Sequence, residues 1–183
     1  MYAEGYFPDT YRIGGMKMHP MTLGHVLLIE RVAPPFAPWR ATEERIGSGS
    51  IMLFVAIVTR AWRDAAAVLE RPSWVWRWKA DRITRRVNGD PKAAATVEEY
   101  LKAQVNIPEA IRWQRDDMVP TGAEMSHALM VTMMQLGATR EAALDTPLRL
   151  ALWDQMFLQE QNGAVSLESE GGAKSEARKK AIE

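Results

Sequence analysis

Apolar side chains recur along this chain at three- and four-residue intervals, and that spacing predicts a succession of helices. After Pro20, a residue suited to a first helical turn, Leu23, Val26, Leu27 and Leu28 form one stripe and predict a helix near 20–31. The run Ile51 to Val58 is apolar on every side, and Trp62, Ala65, Ala66 and Leu69 continue a buried face beyond it. One helix over about 50–70, capped by Ser48 or Ser50, is therefore expected at the centre of a bundle. Pro72 restarts the chain as a helix over 73–87, and Asn88-Gly89 stops it. Asp90-Pro91 supplies a cap and a first-turn proline for a helix over 91–105. Thr121-Gly122-Ala123-Glu124 reads as a capping box that opens a helix over 122–136, ended by Gly137. Thr139 caps a piece of one or two turns, and Thr146-Pro147 opens a last helix over 146–162 that Asn162-Gly163 terminates.

Three stretches break this rhythm. Gly14-Gly15 sits between Thr10-Tyr11-Arg12-Ile13 and Met16-Lys17-Met18, and such a pair accepts the positive φ angles of a tight turn, so a β-hairpin is expected over 10–18. Pro34, Pro35 and Pro38 forbid helix, since each lacks an N–H and pushes its predecessor toward extended geometry. Beyond residue 163 the chain is rich in Ser, Glu, Gly, Ala and Lys and has little to bury, which predicts a flexible, disordered tail over 164–183. The expected fold class is mainly all-α, a single helical, bundle-like domain over 1–163 with a short N-terminal β-hairpin.

Composition narrows the function classes. The 23 basic and 23 acidic side chains cancel, so wholesale neutralisation of a phosphate backbone is not the leading idea. With no cysteine there is no disulfide framework and no thiolate metal cluster. The opening Met-Tyr-Ala-Glu-Gly-Tyr has neither the basic nor the apolar region of a signal peptide, and Arg60, Arg63 and Asp64 interrupt the most apolar run before it could span about 30 Å of hydrocarbon. A soluble, cytosolic protein with no membrane contact is expected.

Catalytic and metal-binding constellations find no support. His19 and His25 lie six residues apart, which suits neither the four-residue zinc spacing nor a tight loop pair. Ser126 beside His127 leaves a nucleophilic dyad open, though no acid is placed to orient the imidazole. Glu43-Glu44 and Asp116-Asp117 are adjacent carboxylates of the kind usually solvated in loops. Gly47-Ser48-Gly49-Ser50 lacks the lysine and the strand of a phosphate-binding loop. The expectation is a non-enzymatic protein with no catalytic residue, cofactor or metal.

Binding to another protein is better founded. In the helix over 73–87, Trp76, Ala80, Ile83 and Val87 form the stripe assigned to the core, and Trp74, Trp78, Arg82 and Arg85 lie near the opposite side. Exposed tryptophan with arginine is the composition of interface anchors. The alternative, tryptophans packed under a loop and arginines paired with acids, weighs equally, and base stacking ranks last. A second cluster is Met125, Leu129 and Met133, with Met130 and Met134 beside them. Thioethers fill irregular core gaps, the leading reading, but also form surfaces that re-pack around a partner. The last helix carries two stripes, Leu148, Leu152 and Met156 on one side and Leu150, Trp153 and Phe157 on another, so it needs two things to pack on, and one could be a partner or a second copy.

Two stretches resemble a known family. Arg12-Ile13-Gly14-Gly15 through Met21-Thr22-Leu23-Gly24-His25-Val26-Leu27-Leu28-Ile29-Glu30-Arg31, followed by Pro35-Phe36, resembles small proteins from the morphogenesis modules of tailed bacteriophages and prophages. Leu136-Gly137-Ala138-Thr139-Arg140-Glu141-Ala142-Ala143-Leu144-Asp145-Thr146-Pro147, with Ala151 and Gly163 beyond, resembles the closing helices of phage tail assembly chaperones. The resemblance implies a helical protein of the host cytoplasm that binds tape-measure or tail-tube proteins during assembly. The Met cluster and the last helix would hold an apolar helix, and the stripe from Trp74 to Arg85 would be a second contact. Alternatives are a structural virion subunit (connector, neck or capsid component) and a nucleic-acid-associated helical protein.

Overall fold

The computed structural model describes residues 11–37, 48–71, 74–105, 110–112, 125–162 and 165–167. Pro38, the two acidic pairs, the Thr121–Glu124 box and residues 168–183 lie outside the described residues. Within them the chain is mainly α-helical with a small N-terminal hairpin, in agreement with the periodicity. The order is β1 (Arg12–Ile13), β2 (Met16–Lys17), α1 (Leu23–Val32), a 3₁₀ turn (Pro34–Phe36), α2 (Ser48–Val58), α3 (Trp62–Glu70), α4 (Trp74–Asn88), α5 (Ala93–Gln104), β3 (Ala110–Arg112), α6 (Met125–Gln135), α7 (Arg140–Asp145), α8 (Leu148–Gln161) and β4 (Val165–Leu167). Buried side chains from Ile13 in the hairpin to Leu152 in α8 form one hydrophobic cluster.

The hairpin pairs Arg12 with Lys17 and Ile13 with Met16. Its turn places Gly14 at φ 54° and Gly15 at φ 76°, a pair of left-handed residues that only glycines adopt without strain. Gly14 also presses on the Arg86 backbone at the end of α4, where a methyl group would collide. Its N–H donates to Asp90 Oδ2 at 2.8 Å, while Asp90 Oδ1 accepts from the Lys92 N–H at 3.0 Å. Asp90, expected as the cap of the next helix, instead seats the hairpin on the α4–α5 corner: Pro91 and Lys92 form a turn, and α5 begins at Ala93 with Lys92 at its N-cap.

Three further boundaries differ from the expectation. The first helix begins at Leu23, because the chain before it is extended and tied on several sides. His19 donates its N–H to the Val58 carbonyl and accepts the Tyr100 hydroxyl at 2.6 Å; Met21 donates to Gln104 Oε1; Leu148 donates to the Met21 carbonyl. Residues 19–23 therefore bind α2, α5 and α8 together with backbone groups that a helix would have used internally.

The single helix expected over 50–70 is two helices, α2 and α3, broken at Thr59–Ala61. Thr59 Oγ1 donates to the Val55 carbonyl, and Arg60 Nη1 donates to that of Ala56. The carbonyls of Val58 and Arg60 are taken by His19 and His25. Side-chain and tertiary partners thus satisfy the end of α2, and Ala61 turns extended before α3. The expected flexible segment from 164 contains a third departure: Val165–Leu167 pairs antiparallel with Ala110–Arg112. Neither short run shows an alternation long enough to be recognised as a strand.

His25 occupies the break between α2 and α3 from the side of α1. It is the third residue of a capping box with Thr22, its Nδ1 accepting the Thr22 N–H at 3.1 Å and its Nε2 lying 2.8 Å from the Arg60 carbonyl. A carbonyl only accepts and an amide only donates, so the ring is neutral with its proton on Nε2. Burial lowers its pKa from 6.5, outweighing the Arg60 carbonyl, which raises it, and His19 lowers it further.

The unfolded chain therefore binds more protons than the folded one between the lowered value and 6.5. The stability contributed by His25 is complete above pH 6.5 and is lost as pH falls through that window. Urea midpoints measured from pH 7.5 down to 5 should fall more steeply for the natural protein than for His25→Gln, whose amide retains the capping box without titrating. Parallel profiles would show that His25 is not linked to folding.

Gly24 is fixed by a close approach. A Cβ there would overlap the Trp62 indole ring, whose Nε1 donates to Asp145 Oδ1 at 2.6 Å. Gly24→Ala gains about 1 kcal/mol of helix propensity but must displace a rigid ring and its hydrogen bond, so a net loss of about 1–3 kcal/mol is expected. Equilibrium denaturation measures it, and an unchanged or raised midpoint would contradict the packing described.

Candidate protein-binding surface

Helix α4 packs on α2 through the stripe expected of it. Ile83 and Val87 are buried and Trp76 rests against the core. Trp74 and Trp78 point the other way and are 80% and 55% exposed, the two most exposed aromatic side chains among the described residues. Arg82 and Arg85 are exposed beside them. At 100° per residue, these four side chains fall within an arc of about 80°. The alternative that hid the tryptophans under a loop and paired the arginines is not what the fold shows. Arg82 lies 5.8 Å from the Trp78 ring centroid, a cation–π distance, and Arg85 Nε donates weakly to the Asp81 backbone carbonyl. Neither guanidinium forms an ion pair among the described residues.

The methionine cluster divides. Met130 and Met133 are buried with Leu129 between α6 and its neighbours, so these two fill the core and are not presented to a partner. Their place on α6 follows from its packing against α8 and α1, which takes the arc from Thr132 through Met130. Met134 and Met125 remain exposed, as do Val131 and Leu136. On α8 the stripe Leu148, Leu152 and Met156 is buried. The second stripe stays at the surface, with Leu150 and Trp153 half-buried and Phe157 43% exposed. The rings of Trp153 and Phe157 lie 5.7 Å apart, one turn along the helix. The sequence candidates thus occupy two groups of helices, α4 on one hand and the α6–α8 pair on the other.

Other candidate chemistry is dispersed. His127 is exposed, whereas its neighbour Ser126 is buried and gives its hydroxyl proton to Glu30 Oε2 at 2.6 Å, linking α6 to α1. Adjacent helical residues diverge by about 100°, and the pair does not form a dyad. Among the described residues no three His, Asp or Glu side chains converge as metal ligands, and no helix is long and apolar enough to cross a membrane.

Two concavities have little or no signature in the residue pattern. One, of about 510 Å³, is an apolar groove between the 3₁₀ turn and α5, lined by Phe36, Ile51, Val97 and Leu101 among others. The other, of about 300 Å³, lies beside Trp78 and is formed by Lys79, Arg82, Ile83 and Arg86 of α4 together with Met16 of the hairpin. The run Trp78, Arg82, Arg86 at four-residue spacing is its only signal in the sequence; the wall supplied by Met16 needs the tertiary fold. No family model, no curated protein and no solved structure matches the chain.

Proposed function

We propose that this protein is a non-enzymatic assembly factor of the phage tail-assembly chaperone kind, which binds tape-measure or tail-tube proteins in the bacterial host cytoplasm. The observation that carries the binding role is the exposure of Trp74 and Trp78 on one face of α4 with Arg82 and Arg85 beside them. Tryptophan removed from water contributes more per residue to association than nearly any other side chain. Leaving two of them on one helix face, when the core is already closed beneath, favours a surface that a second polypeptide covers. Met134 and Phe157 add apolar area on α6 and α8. The phage context rests on the resemblance of residues 12–36 and 136–163.

Co-expression with each tail protein encoded beside it tests the reading. A tape-measure or tube protein should co-purify stoichiometrically through size exclusion, and the absence of association with every tail protein would overturn the phage role. Purified virions distinguish the alternative of a structural subunit. A chaperone is absent from them, whereas a connector, neck or capsid component is present at fixed copy number.

A further inference from the structure

The charge of the chain is balanced overall but not along α4, which carries five basic residues, Arg77, Lys79, Arg82, Arg85 and Arg86, against the single acid Asp81. Lys79, Arg82 and Arg86 line the cleft that Trp78 borders, and none of the three forms an ion pair among the described residues. Its remaining wall is apolar, made by Met16 and by the buried Ile83. Around the helix axis the order runs from the exposed Trp78 through Arg82, Arg86 and Lys79 to Ile83, so an aromatic edge, a cationic rim and an apolar floor follow one another in sequence.

From this order we infer that the cleft docks an acidic amphipathic segment of the partner protein. An apolar side chain of that segment sits on Met16 and Ile83, and its carboxylates meet the guanidinium forks of Arg82 and Arg86 and the Lys79 ammonium. Trp78 closes over the aliphatic part. The occupant is specified by complementarity: a purely apolar helix would leave three cations facing it, and a purely acidic one would leave the floor uncovered. A nucleic-acid strand meets the cations, but stacking and phosphate contact call for a basic track rather than a short cleft backed by a methionine and an isoleucine. The inference deepens the assembly-factor reading and depends on it only for the identity of the partner, not for the chemistry of the cleft.

The full chain is titrated against a fluorescein-labelled peptide of about fifteen residues, four helical turns, with leucines on one face flanked by glutamates. Controls are the same peptide with glutamine for glutamate and an oligothymidine of similar length. The acidic peptide should bind, the glutamine peptide at least about tenfold more weakly, and Arg82→Glu with Arg86→Glu should weaken the acidic peptide about tenfold or more. Trp78→Ala, a change at an exposed site, provides a second variant that should also weaken it, with circular dichroism unchanged. Equal affinity for the two peptides, indifference to the charge reversals, or tighter binding of oligothymidine would each overturn the inference. If a tail protein co-purifies equally well with the charge-reversed chain, the acidic-segment inference fails while the assembly role stands. If the acidic peptide binds as described but no tail protein associates, the cleft chemistry stands and the phage role fails.

Discussion

Phe54→Ala is expected to destabilise the protein by about 3–5 kcal/mol, at the upper end of what truncating one buried side chain does. Phe54 is fully buried on α2, with the Phe36 ring 4.7 Å away and the Tyr100 ring 6.1 Å away edge-on; Tyr100 in turn meets Tyr11 at 5.7 Å. These four rings join the hairpin, the 3₁₀ turn, α2 and α5. Removing the central one forfeits the transfer free energy of the ring and leaves a cavity whose walls are held elsewhere. Tyr100 cannot move inward freely, because its hydroxyl is given to the His19 carbonyl in the segment that binds α2, α5 and α8 together. Phe54→Leu, closer in volume, should cost under about 1.5 kcal/mol. Urea denaturation of both variants provides the comparison. An alanine variant within about 1 kcal/mol of the natural protein would mean that this cluster is not the structural centre, given typical total stabilities of about 5–15 kcal/mol.

Trp74→Ala together with Trp78→Ala should have the opposite profile. Both side chains are largely in solvent, so the fold should keep its stability to within about 1 kcal/mol. Most of any loss would come from the Arg82–Trp78 cation–π pair, worth about 0.5–1 kcal/mol at an exposed site. Partner binding should fall far more. Truncating an anchoring tryptophan costs about 2 kcal/mol or more, and two in one patch are expected to lower affinity by at least about a hundredfold. Affinity measured by calorimetry with the co-purified tail protein, alongside a urea titration of the free chain, separates the two effects. Unchanged affinity would remove α4 from the interface, and a collapse in stability would show that the tryptophans belong to the core.

These paired outcomes also mark what is readable in the chain. Helix existence and the buried stripe of α4 follow from spacing alone, since Ile83 and Val87 point inward wherever the helix is placed. The two faces of α8 are equally legible. What spacing cannot supply is the use of backbone groups by distant residues. The α2–α3 break depends on His19 and His25 reaching the carbonyls of Val58 and Arg60, and no local pattern encodes that. Pro20 suits a helix start in isolation, yet Met21 is claimed by Gln104 and Leu148. In the candidate surface, the exposure of Trp74, Trp78, Arg82 and Arg85 is one of two evenly weighted readings of the sequence, decided by the fold, in which α2 packs against α4 while these four side chains stay exposed. Met130 and Met133 are indistinguishable from Met134 by residue type; the direction from which α8 approaches assigns two to the core and leaves one outside.

Covalent labelling of tryptophan in the co-purified complex tests most directly whether a second polypeptide covers α4. The free chain is oxidised briefly and mapped by mass spectrometry, and the complex is treated identically. Trp74 and Trp78 should be modified rapidly in the free chain and protected several-fold in the complex, while Trp62, held against Gly24, should change little. Equal modification of Trp74 and Trp78 in the two samples would contradict the account.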